Sequence, residues 1–243
     1  LREQASPPGI PWALSSTAWL RHALLMDDAT AWQACKDRVE AIATCLPDSP
    51  SRVEAGFFAA LGALRWSEAP EACLQTQAER ILRRQWARDC PANFEARSLL
   101  LEAEWARRHA SPADPDRALA NAMPLYARAI ESASAHGWPV LEALANELYG
   151  RFWRDCQQPQ LARQFVREAY HLYRAWGAGA KCRQLEAAWP QVSFRLSAAR
   201  ASGYGSLSLG TRSGGATEGP EGMASIDLQA VLKSDAVRES FAK

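Results

Sequence analysis

The chain has 243 residues, a formal net charge of +1 from 28 basic and 27 acidic residues, and 48% apolar residues. That apolar content excludes a wholly disordered chain, and the near-balance of charge excludes the bulk positive field by which a protein holds nucleic acid or an anionic membrane non-specifically. Alanine, the best helix former, makes up about a fifth of the chain while β-branched residues are sparse, so composition predicts an all-α fold.

Residues 1–10 carry no basic stretch followed by an apolar leader core, and are expected to be the disordered start of a fragment. Helices are expected in succession from residue 11 to about 190, within a domain closing near residue 196. Ser51 and Glu54 have the spacing of a capping box, which predicts a helix over 52–66. Asp114 before Pro115 offers a capping carboxylate followed by a residue whose missing N–H costs nothing at the first helical position. Pro139 and Pro159 sit at similar starts, so helices are predicted from about 115, 139 and 159. In the second of these Leu141, Leu144, Ala145, Leu148 and Phe152 make an apolar face, with Glu142, Asn146 and Arg151 opposite it. In the third, Leu161, Phe165, Ala169, Leu172 and Trp176 form one stripe and Ala162, Val166, Tyr170 and Tyr173 another, which requires neighbours on two sides.

The segment Tyr126 to Trp138 matches, forty residues on, Val166 to Ala178 in its alanine, aromatic and glycine positions. Gly137 and Gly177 stand where a helix closes through a left-handed residue. This pattern predicts stacked antiparallel helix hairpins of tetratricopeptide-like type; an irregular helical bundle is the alternative. Residues 197–223, rich in Ser, Gly, Ala and Thr, are predicted to be a flexible linker. In 224–243, Ile226, Leu228, Val231 and Leu232 return to helical spacing, as at the start of a helix leading to a downstream domain.

Searches for chemistry are negative. Gly205–Thr211 has glycine spacing but Arg212 where a phosphate loop needs its Lys-Ser/Thr pair. His22, His109, His136 and His171 belong to no metal or phosphotransfer motif, and an enzyme would need at least two of them converging with acids. Glu102 and Glu104, two apart on a helix, point to different sides and are expected to be ion-paired structural acids. The cysteines Cys35, Cys45, Cys73, Cys90, Cys156 and Cys182 form no CxxC or zinc pattern and read as buried free thiols. Ten tryptophans are expected mainly as large anchors between alanine-rich faces, with a few available to a concave binding surface. No window has the apolar length of a membrane span.

Three stretches, Cys90–Arg107, Ala143–Trp153 and Phe165–Leu185, resemble the helical-repeat segment of large bacterial hybrid signalling proteins, through Pro91, Asn93, Phe94, Glu102, Glu104, Arg107, Asn146, Glu147, Phe152, Tyr173, Trp176, Gly177, Lys181 and Leu185. Ser225–Lys233 is similar to that family's lead into a GAF sensor domain, and the chain departs from the pattern after Lys233. In that family a serine/threonine-kinase-like domain and an AAA- or STAND-type ATPase precede the repeats, and a GAF domain and histidine kinase follow. The resemblance implies a cytoplasmic, non-catalytic relay segment with no cofactor or metal of its own, ATP and Mg belonging to the parent protein. Its expected partners are protein, either neighbouring domains or a regulatory peptide, without nucleic acid or membrane insertion, and a homodimer could form through the parent's kinase module. The alternative is a tetratricopeptide-like adaptor, or the sensor arm of a STAND-type transcription activator, binding a protein or peptide.

Overall fold

The computed structural model describes residues 9–47, 49–68, 74–109 and 115–194. Among these, the secondary structure is helical throughout: α1 (Ile10–Met26), α2 (Ala29–Cys35), a 3-10 turn (Lys36–Arg38), α3 (Val39–Cys45), α4 (Pro50–Trp66), α5 (Leu74–Asp89), α6 (Pro91–Arg108), α7 (Pro115–Ala135), α8 (Pro139–Asp155), α9 (Pro159–Ala175) and α10 (Gly179–Ala188). The all-α expectation holds. The linker 197–223, the tail 224–243, the loop Gly205–Thr211, Cys73 and Asp114 lie outside the described residues. No described helix is long and apolar enough to cross a membrane.

Local chemistry explains the boundaries. Pro50, Pro91, Pro115, Pro139 and Pro159 each open a helix, where a missing N–H is no loss. The expected capping box at Ser51 and Glu54 is displaced: Ser49 is the cap, its hydroxyl accepting from the Arg52 amide at 3.3 Å, because Pro50 after it fixes the first helical turn. Ser51 is already inside the helix, and Glu54 instead faces Arg21 of α1. The first helix begins at Ile10, inside the stretch expected to be disordered.

The stops of α1, α7, α8 and α9 follow one rule. Gly137 (φ +70°), Gln157 (φ +60°) and Gly177 (φ +85°) are left-handed residues at an even spacing of 20 (137, 157, 177), and Asp27 (φ +60°) ends α1 the same way. In each case the amide after the left-handed residue reaches back five positions: Trp138 to Ala133, Gln158 to Trp153, Ala178 to Tyr173 and Asp28 to Ala23. These bonds satisfy carbonyls that a helix end leaves open. The forty-residue similarity is therefore two equal helix-and-turn steps.

Consecutive helices from α4 to α10 pack on one another, and α4 on α6 and α6 on α8 form an inner row. Small residues set the approach. A Cβ on Gly150 of α8 would lie 2.6 Å from Val166 Cγ2 of α9, and one on Gly62 of α4 would overlap the Trp32 indole. Between α7, α8 and α9, Tyr126, Tyr149, Phe152, Trp153 and Phe165 form a continuous aromatic cluster with centroid separations of 4.3–5.9 Å. Helix α1 packs along α4 and also touches α10. A nearest-neighbour stack has no contact of that range.

Candidate functional site

The residues carrying the family resemblance gather mainly at helix junctions. On α6, Glu102 is held by Arg80 of α5 through two hydrogen bonds of 3.0 and 2.7 Å and also by Arg84, while Arg80 lies 3.7 Å over the Trp105 ring. Glu104 points the other way, as its spacing requires. It is buried, accepts the Tyr126 hydroxyl of α7 at 2.5 Å, and is bound by Arg107 one turn along at 2.9 Å. Arg107 also reaches Asp155 at the end of α8, 3.4 Å away. Burial, reinforced by Glu104, pushes the Tyr126 hydroxyl well above its ordinary pKa, so it stays a neutral donor.

A second unit repeats this chemistry on α8. Glu147, also buried, accepts the Tyr173 hydroxyl of α9 at 3.1 Å and is bound by Arg151 at 2.7 Å. Arg151 extends to Asp27 after α1 at 2.9 Å, and Asp27 in turn meets Arg65 of α4 at 2.7 Å. Lys181 of α10, only 4% exposed, completes the unit: its ammonium donates to Glu147 at 2.8 Å, to Gln184 at 2.9 Å and to the Leu25 carbonyl of α1. A buried carboxylate is tolerable when it is paired and hydrogen-bonded, and Glu147 has three donors. Burial, with Glu147 beside it, raises the Tyr173 pKa well above the ordinary value.

The face of α8 read as polar is therefore not a solvent face. Asn146 and Glu147 are buried, and Asn146 donates to the Glu142 carbonyl at 2.9 Å. Sequence reasoning missed Arg151 and Asp27 as members of the unit, since their partners lie up to 124 residues apart.

Lys181 also lines an open groove of about 520 Å³ between α1 and the α9–α10 turn, walled by Ala18, Trp19, His22, Leu25 and Met26 on one side and Trp176, Ala178 and Ala180 on the other. Trp19 and Trp176 are 53% and 46% exposed, against 4% or less for Trp32, Trp153 and Trp189. Trp12, Trp66, Trp86, Trp105 and Trp138 are half-buried, and the two most exposed indoles face one groove. Trp19 meets the His22 ring edge to face at 5.7 Å.

The other residues of the resemblance lie at a helix start, at a turn and in the core. Pro91 opens α6, Asn93 lies 3.3 Å from the Cys90 sulfur, and Phe94 packs at 5.1 Å on Trp86. Phe152 and Leu185 are core residues, and Gly177 supplies the left-handed turn beside Trp176. The four histidines are on separate elements: His22 on α1, His109 and His136 just after α6 and α7, and His171 on α9. Cys35, Cys90, Cys156 and Cys182 are free thiols, all but Cys90 buried, and burial pushes the Cys156 thiol up to about 12. Among the described residues no group of three or more His, Cys, Asp or Glu is placed to hold a metal ion. No protein-family model, curated protein or solved structure matches the chain.

Proposed function

We propose that the chain is a helical-repeat interaction and relay domain of a cytoplasmic multidomain sensor histidine kinase and ATPase, coupling an upstream ATP-binding module to a downstream sensor and phosphotransfer module. In this reading α4 to α10 are stacked hairpins of tetratricopeptide-like type and the segment performs no chemistry. The observation that supports it is the placement of Glu104, Arg107, Glu147, Tyr173 and Lys181, five of the residues carrying the resemblance. They form two buried polar units, each tying three or more elements together. Losing one member of such a unit leaves buried polar groups short of partners, which couples the elements that the unit joins. That is the mechanical property a relay requires.

The test uses the natural full-length protein. Its reading frame is expected to encode an ATP-binding module before this segment and a phospho-accepting histidine module after it. Lys181→Met and Arg107→Met are then expected to leave ATP hydrolysis intact while changing its effect on histidine phosphorylation. Unchanged coupling in both variants defeats the relay reading. A DNA-binding helix-turn-helix downstream would instead assign the segment to a transcription activator.

A further inference from the structure

The seam where the end of α1 meets α8 and α10 is crossed by two polar links, Asp27 to Arg151 at 2.9 Å and the Lys181 ammonium to the Leu25 carbonyl, and beside them lies the open groove of about 520 Å³. Helix α1 touches α10 far less closely than it packs on α4. We propose that this seam is a latch: α1–α4 and α5–α10 are two bodies that pivot where α4 packs on α5 and α6, and the native protein opens at the seam without unfolding either body. This goes beyond the relay reading and does not depend on it.

The polar partners divide so that parting the two bodies leaves each charge accompanied. Asp27 keeps Arg65 of α4, on its own side, at 2.7 Å. On the other side Glu147 keeps Arg151 at 2.7 Å, Lys181 at 2.8 Å and the Tyr173 hydroxyl at 3.1 Å, and Lys181 keeps Gln184 at 2.9 Å. What makes a broken buried pair costly is a charge left without a partner, and opening here creates none. The Leu25 carbonyl, in the last turn of α1, exchanges its ammonium donor for water. Joints inside each body are of another kind. Trp32 of α2 packs on Trp66 of α4 at 5.7 Å, the aromatic cluster joins α7, α8 and α9, and Glu104 of α6 depends on the Tyr126 hydroxyl of α7. Separating those elements would expose apolar surface or leave a buried carboxylate short of a donor. At the pivot Arg83 of α5 is bonded to the Val53 carbonyl of α4. Sub-global opening takes place where buried apolar contact is sparse, which is the condition at the seam.

The experiment measures chemical labelling in the full 243-residue chain across a urea series, with global unfolding followed in parallel by circular dichroism. In the wild type an acetylating reagent probes the Lys181 amine, which is 4% exposed, and in Leu25→Cys a maleimide probes a thiol on the facing side, both read peptide by peptide by mass spectrometry. At one or both positions the labelling rate is expected to rise with urea at less than about half the slope of global unfolding, because opening the seam exposes only part of the surface. Asp27→Asn, which removes the charge that crosses to Arg151, is expected to speed that labelling about ten-fold without urea. Labelling at both positions with the full slope of global unfolding would overturn the proposal, since the seam would then part only when the whole fold does. Rates unmoved by Asp27→Asn would overturn it as well.

Discussion

Replacing Lys181 by Met removes one charge from the unit that joins α1, α8 and α10 while keeping most of the side-chain volume. Removing one partner of a buried ion pair costs about 3–5 kcal/mol when the other is left alone. Glu147 is not left alone, because Arg151 at 2.7 Å and Tyr173 at 3.1 Å still hold it. The Leu25 carbonyl, however, loses its ammonium donor, and an unsatisfied buried acceptor costs about 1–3 kcal/mol. Together these point to a loss of about 3 kcal/mol, which for a chain of this length lowers Tm by about 6–12 °C. Urea unfolding of Lys181→Met, Glu147→Gln and the double variant should give a coupling energy of about 1–3 kcal/mol. Hydrogen exchange should show the last turn of α1 opening sooner than α6 and α7. A loss below about 0.5 kcal/mol, the usual effect of a surface substitution, would mean that Lys181 is solvated and α1 is not anchored through it.

The left-handed helix stops make paired predictions of opposite sign. Gly177→Val should cost about 1–2 kcal/mol by urea denaturation, all of it backbone strain, since nothing lies within 4 Å of a Cβ there. Gln157→Gly should stabilise by up to about 1 kcal/mol, because a non-glycine residue already bears that strain at φ +60°. At the close helix contact, Gly150→Ala should cost about 1–3 kcal/mol through overpacking against Val166, and an unchanged midpoint would refute that approach of α8 to α9. Alkali should unfold the protein steeply: Tyr126 and Tyr173 have raised pKa values when folded, so their stabilisation is complete below the unfolded tyrosine value near 10 and is lost as pH rises. While both stay protonated in the fold, stability should fall by about 2 kcal/mol between pH 10 and 11 and by up to about 2.7 kcal/mol per pH unit beyond that, and a flat profile between pH 10 and 11 would contradict their burial as neutral donors.

The sequence announced its helix starts through proline and its stops through glycine, and those readings hold wherever the residue is itself restrictive. They fail where an ordinary residue occupies a restrictive conformation. Asp27 and Gln157 close helices as Gly137 and Gly177 do, yet neither carries a signal in its side chain. The cap of α4 was misassigned by two residues because Ser49 and Ser51 flank Pro50 and both can cap, and only the fixed φ of proline decides between them. Apolar periodicity identified the buried stripes of α8 and α9 but could not reveal that the polar side of α8 is buried too. A polar residue reads as exposed unless its partner is visible, and the partners of Arg151 and Lys181 on α1 are 124 and 156 positions away. The groove was illegible for the same reason: Trp19 and Trp176 become neighbours of one space only after the chain has folded back on itself.

That return of α1 follows a chemical rule already present within the row. The Glu104 unit consists of a buried glutamate, an arginine one turn later, a tyrosine from the next helix, and an aspartate at the end of the helix after that, Asp155 of α8. The Glu147 unit has the same four parts: Glu147, Arg151, Tyr173 and an aspartate at a helix end. Here the aspartate is Asp27, which ends α1, so α1 supplies to the Glu147 unit the carboxylate that α8 supplies to the Glu104 unit, while packing mainly on α4. The short helix α10 packs on α9, contributes Lys181 and binds α1 through the Leu25 carbonyl. Beyond the four shared parts the second unit carries Lys181 on its glutamate and Arg65 on its aspartate, and so also holds an element that the chain supplies from its other end. An arginine in place of Asp27 should therefore destabilise the second unit through repulsion from Arg151 and Arg65, while leaving the Glu104 unit and exchange across α6 and α7 unchanged.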